Sequence, residues 1–149
     1  MNNTMGRRWR SVLALVGGLV ATAALSVGTD AVMRATGVFP PLGRPMSDAL
    51  FALATAYRVA YTVLGGYITA ALAPGKPMTH VLVLAAIGLL LATAGAAAAW
   101  NRPDLGPKWY PLSLVITAIP CVWAGGKLWA WRAESASRPR DELAQLSQP

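Results

Sequence analysis

Long uncharged runs separated by short polar breaks set out the elements of this chain. The first run extends from about Ser11 to Met33 and carries no charge before Asp30. The second, about Asp48 to Ala73, contains Arg58. The third, about Thr79 to Trp100, has no charge at all, and the fourth, about Tyr110 to Trp131, has only Lys127 near its end. A helix crosses a bilayer with about 20 mainly apolar residues at a rise of about 1.5 Å each. Each run meets that length, so the pattern predicts four membrane-spanning helices in an all-α antiparallel bundle.

The breaks agree. Phe39-Pro40-Pro41-Leu42-Gly43-Arg44-Pro45 cannot continue a helix. Ala73-Pro74-Gly75-Lys76-Pro77 predicts a tight turn, and Asn101-Arg102-Pro103-Asp104-Leu105-Gly106-Pro107 a third break. The organisation expected is a basic N-terminus over 1–10, a transmembrane unit over 11–132 and a polar tail over 133–149, either a short exposed helix or unstructured. Pro120 falls inside the fourth run, where it removes a backbone hydrogen bond and predicts a kink, with Thr117 placed to satisfy a freed carbonyl.

Composition narrows the class. Of 149 residues, 55% are hydrophobic and 13% charged, about half the charge of an ordinary soluble domain. A disordered chain is excluded by this apolar content. A disulfide-built domain is excluded because Cys121 is the only cysteine. The net charge of +7 does not argue for nucleic acid, because the basic residues flank apolar spans, where the lipid bilayer is the simpler partner.

Lysine and arginine also set orientation. Arg7, Arg8, Arg10, Lys76, Arg132, Arg138 and Arg140 fall on one side, and Lys127 can snorkel to it; Arg34, Arg44, Arg102 and Lys108 fall on the other. The bias predicts both termini in the cytoplasm. Trp9, Trp129 and Trp131 mark the inner interface, and Trp100, Trp109 and Tyr110 the outer one. The alanine- and arginine-rich composition points to a bacterial inner membrane. Arg7-Arg8-Trp9-Arg10 before an apolar run also has the form of a signal sequence. The run is long for that role and Ala24-Leu25-Ser26 is a loose cleavage site, so a retained first span is expected.

Helices in lipid associate through close packing and buried polar contacts, so small residues are informative. Gly17-Gly18, Gly65-Gly66 and Gly125-Gly126 share a depth, and Gly88 lies slightly deeper. These positions predict close approach near the cytoplasmic side and a wider, more polar outer half.

Arg58 lies about ten residues into its span, near the midplane, where an arginine costs about 2.5–3.5 kcal/mol on insertion scales. Tyr57 and Tyr61 flank it, and Thr62 is one turn away. Asp30 is the leading partner, offset by about 10 Å of helix rise; Asp48 is second, and water or a bound anion third. The pair reads either as a strut fixing helix register or, with the tyrosines, as a binding site for an anion or headgroup. His80, the one histidine, reads as an interfacial residue.

No GxxxxGK[ST] loop, HExxH motif or Ser-His or Ser-Lys pairing of a membrane hydrolase occurs, and one cysteine cannot run thiol exchange alone. No metal or other cofactor is expected. Small four-span drug exporters need a central membrane acid, and no acid here is central.

Tyr57-Arg58, Gly65-Gly66-Tyr67, Ala73-Pro74, Pro77-Met78-Thr79-His80, Trp109-Tyr110-Pro111, Pro120 and Gly125-Gly126 together resemble a family of small uncharacterised bacterial four-span inner-membrane proteins. The resemblance covers spans two to four, about two thirds of the chain, and implies fold and location but no activity. The leading expectation is a non-enzymatic packing or accessory subunit, or a small homo-oligomer. The alternative is a small oligomeric transporter or channel using Arg58. A lipid-modifying enzyme comes third, because no nucleophile is evident.

Overall fold

The computed structural model describes residues 3–41, 43–102 and 105–146, with side chains over 6–41, 43–102 and 105–137. It is all-helical: α1 (Asn3–Ala35), α2 (Asp48–Leu72), α3 (Pro77–Ala99) and α4 (Trp109–Leu146), with no strand among the described residues. All four helices are long and apolar enough to cross a membrane. Large apolar side chains lie open on their outer surfaces, as with Val27, Leu90 and Ile116 at 67%, 71% and 73% exposure. Lipid is the solvent that accepts such faces.

The helices overrun the apolar runs. α1 begins at Asn3, so the basic N-terminal segment continues the first span as helix. α4 continues through the polar tail to Leu146. Helical propagation adds a hydrogen bond per residue once a turn exists, and no glycine or proline interrupts 127–138, although Pro139 then falls inside the helix.

The ends have specific causes. α1 stops at Gly37, which takes the left-handed φ of +76° while Phe39 N–H bonds back to the Met33 carbonyl. Phe39 is buried there. Pro77 opens α3 at its first turn, where the missing N–H costs nothing. Gly106 combines a φ of +118° with the ring of Phe51 pressed where a Cβ would lie. Only glycine meets both demands.

α2 is the central helix, packed most extensively against α4 and α1. The glycine doublets explain how. Neighbouring helix residues point about 100° apart, so a doublet serves two faces. Gly65 meets Gly18 of α1, where a Cβ would fall 2.9 Å from the Gly18 carbonyl oxygen. Gly66 meets the Val122 backbone of α4. On α4, Gly125 abuts the α2 backbone at Val63 and Tyr67, and Gly126 faces Val81 of α3. Gly17 touches Leu72. A core of Ala70, Val81, Leu84, Ala85 and Val122 forms around this layer, with Trp129 packed against it. Thr69 is fully buried and its hydroxyl donates to the Ala14 carbonyl across α1–α2.

Two expectations are corrected. No atom lies within 4 Å of where a Cβ on Gly88 would be, so Gly88 borders open space instead of sealing a helix contact. Helix continues on both sides of Pro120, and it is the role expected of Thr117 that changes. The carbonyl that Pro120 frees belongs to Ile116, yet the Thr117 hydroxyl donates to Ser113 at 2.7 Å. A threonine reaches back along its own helix by three or four residues, so Thr117 cannot serve the carbonyl beside it.

Candidate functional site

Beyond the glycine layer, hydroxyls and one ion pair tie α1 to α2. The Thr22 hydroxyl lies 3.0 Å from the Gly18 carbonyl and 3.2 Å from that of Tyr61. Thr29 and the Tyr61 hydroxyl share a hydrogen bond of 2.9 Å. Next come Asp30, Tyr57 and Arg58. Arg58 Nη2 lies 2.5 Å from Asp30 Oδ2, and the Tyr57 hydroxyl donates to Asp30 Oδ1. Both carboxylate oxygens are therefore engaged. The side chains of Arg58 and Asp30 are 29% and 18% exposed.

Arg58 leaves the midplane by extending along the helix toward the α1–α2 loop. Its guanidinium carbon lies 5.9 Å from the centroid of the Tyr110 ring, at the start of α4. A long side chain keeps its stem in apolar surroundings while its head finds a polar level. Arg58 Nε is buried without a hydrogen-bond partner, which leaves the guanidinium incompletely satisfied. Tyr110 joins α4 to the site as a cation–π face. Its sequence position marks only an interface; nothing in one helix's pattern says which neighbour its ring will face.

Asp48 lies apart from Arg58 and takes a long 3.4 Å contact from the Trp109 indole. Lys127 rests over the Trp123 ring at 5.4 Å. His80 joins α3 to α1: Nε2 is 2.9 Å from the Ser11 hydroxyl and Nδ1 is 3.2 Å from the Lys76 carbonyl. Among the described residues, no three His, Cys, Asp or Glu side chains gather where they could hold a metal ion.

A central cavity of 310 Å³ adjoins the pair. All four helices line it, with Thr22, Ser26, Arg58, Thr62 and Thr117 as its polar positions and Gly88 at its wall. A groove of 330 Å³ between α3 and α4 shares Leu91, Ala92 and Leu114 with it. A loop cavity of 720 Å³ in turn shares Ala99, Trp100, Gly106 and Lys108 with the groove. The half beyond the glycine layer, expected to be wide and polar, holds these spaces, but the central cavity and the groove are lined mainly by apolar residues.

The chain matches no protein-family model, no curated protein and no solved structure.

Proposed function

We propose that the chain is a bacterial inner-membrane protein with its helices antiparallel and both termini cytoplasmic, acting by association and not by catalysis. It serves as a packing or accessory subunit, or as a small homo-oligomer. The observation that carries this reading is the Asp30–Arg58–Tyr57 cluster, in which both oxygens of Asp30 are engaged. Asp30 already meets the Arg58 charge and has no free oxygen, which fits a strut between two helices. A conducting path ordinarily needs more than one charged or strongly polar ring. The antiparallel reading draws support from the pairs Ala14–Thr69, Gly18–Gly65, Thr22–Tyr61 and Asp30–Arg58.

Association is tested by mild crosslinking in native membranes, followed by mass determination in lipid nanodiscs. The expected result is a discrete complex, either with a second copy or with another membrane protein. A strictly monomeric protein without crosslinked partners overturns the reading.

Orientation is tested with single cysteines in a Cys121→Ser background. Ser47 and Ser135 are exposed and on opposite sides of the predicted topology. Ser47→Cys is expected to react with an impermeant maleimide in intact cells, and Ser135→Cys only after lysis. The reverse pattern places the termini outside.

The border that Arg58 shares with the central cavity favours a second reading, a small transporter or channel. Under that reading Arg58→Ala abolishes flux while the protein still inserts; unchanged flux removes its support.

A further inference from the structure

The three cavities share lining residues in succession, and the two ends of the series differ in chemistry. Arg44, Arg102 and Lys108 line the loop cavity, and all three are exposed. Against these three cations stand two acids, Asp104 in the 100–108 loop and Asp48 at the start of α2, the latter in contact with the Trp109 indole. The only ion pair among the described residues is Arg58–Asp30, well away from them. The charge rule for membrane topology disfavours basic residues on this side, yet three converge on a single cavity here.

From this basic mouth the series becomes apolar. Gly88, Ala92, Gly95 and Ala99 recur at steps of four and three residues, which places them on one face of α3. Each lines one or more of the three cavities. A Cβ on Gly88 or Gly95 would meet nothing within 4 Å. Small residues on this face leave a trough where the other helices use them for contact. Leu91 and Leu114 form its apolar walls. From Ala99 to Gly88 the trough descends about 16 Å by helix rise, roughly half of a hydrocarbon core about 30 Å thick. That is the depth of one leaflet.

We propose that this series of cavities binds an anionic phospholipid, with its phosphate at Arg44, Arg102 and Lys108 and one acyl chain lying in the α3–α4 groove. Arginine and lysine supply charge-assisted hydrogen bonds to phosphate oxygens. Lys108 lies at the junction of mouth and groove, its ammonium 5.1 Å from the centroid of the Trp100 ring. Trp100 thereby sits at headgroup level, where tryptophan is favoured. An inorganic anion would use the mouth and leave the groove empty; a zwitterionic lipid would use the groove and gain little from the mouth. Only an anionic amphiphile matches both. The proposal rests on membrane placement and is independent of what the Asp30–Arg58 tie does.

The test uses the delipidated full-length protein in mild detergent. Phosphatidylglycerol and phosphatidylcholine with identical acyl chains are titrated, and retained lipid is read by native mass spectrometry. Phosphatidylglycerol is expected to be retained at least tenfold more strongly. Combined Arg44→Gln, Arg102→Gln and Lys108→Gln should erase that preference, and Gly95→Leu should weaken phosphatidylglycerol about tenfold with Tm nearly unchanged. Lys108→Gln alone and a salt titration give a second reading if the triple variant does not fold: only the phosphatidylglycerol signal should fall as salt screens the mouth. Equal retention of both lipids overturns the proposal, as does full retention by Gly95→Leu. Displacement by millimolar inorganic phosphate overturns it in favour of a free-anion site.

Discussion

Gly125→Ala is expected to disrupt the four-helix core, although it adds only one methyl group. That methyl would fall on the α2 backbone, 2.8 Å from Tyr67 N and closer still to the Val63 carbonyl oxygen. No flexible side chain can move aside, so α2 and α4 must separate along their most extensive contact. Overpacking costs about 1–3 kcal/mol when side chains can adjust, and more when they cannot. At about 2–4 °C per kcal/mol for a chain of this size, a fall in Tm of about 10 °C is expected in detergent. Gly88→Ala and Gly95→Ala provide the contrast. Both methyl groups meet no neighbouring helix, so neither variant should unfold below wild type, and alanine's better helix propensity, about 0.5–1 kcal/mol, should raise Tm by about 1–4 °C. Equal behaviour of Gly125→Ala and Gly88→Ala would mean that close backbone approach does not hold the bundle.

The second large effect concerns the charged tie. Asp30→Asn leaves the Arg58 guanidinium without its counter-charge, and Arg58→Met leaves the Asp30 carboxyl without its own. Removing one partner of a buried pair costs about 3–5 kcal/mol. Partial exposure, 29% for Arg58 and 18% for Asp30, puts the expectation near the lower figure, about 3 kcal/mol for each. The double variant loses both charges together, and replacing both partners is often close to neutral. It should therefore recover most of the loss, which appears as strong non-additivity in a double-mutant cycle. Thermal unfolding of the four proteins in one detergent measures this directly. If Arg58→Met is as stable as wild type, the arginine is not needed for the fold. The strut reading then fails and the binding or transport reading takes its place.

The Asp30–Arg58 contact was open to argument from the chain because helix rise and side-chain reach are local quantities. Residue numbers place the two groups about 10 Å apart in depth, and an arginine can span most of that. Tyr110 was different. It marks an interface by its type, but its ring faces Arg58 only because α4 packs on α2. Gly88 shows the converse. It repeats the small-residue pattern of the contact glycines, yet it lines a cavity. Thr117 was assigned to the wrong carbonyl because the back-bonding distance of a threonine is fixed by its own helix.

By itself the sequence determined the number of helices, their breaks and the rarity of charge within them. A span in lipid must satisfy its backbone internally, so length and hydropathy alone dictate a helix. Which helix faces which was decided only by tertiary packing. In a soluble bundle the apolar stripe points to the core, but here lipid-facing and core-facing surfaces are equally apolar, and hydrophobic periodicity carries no direction. The choice falls to fit between backbones. Gly65 and Gly66 are adjacent in the chain, yet they meet α1 and α4 respectively, and the trough on α3 exists only because no helix was left to fill it.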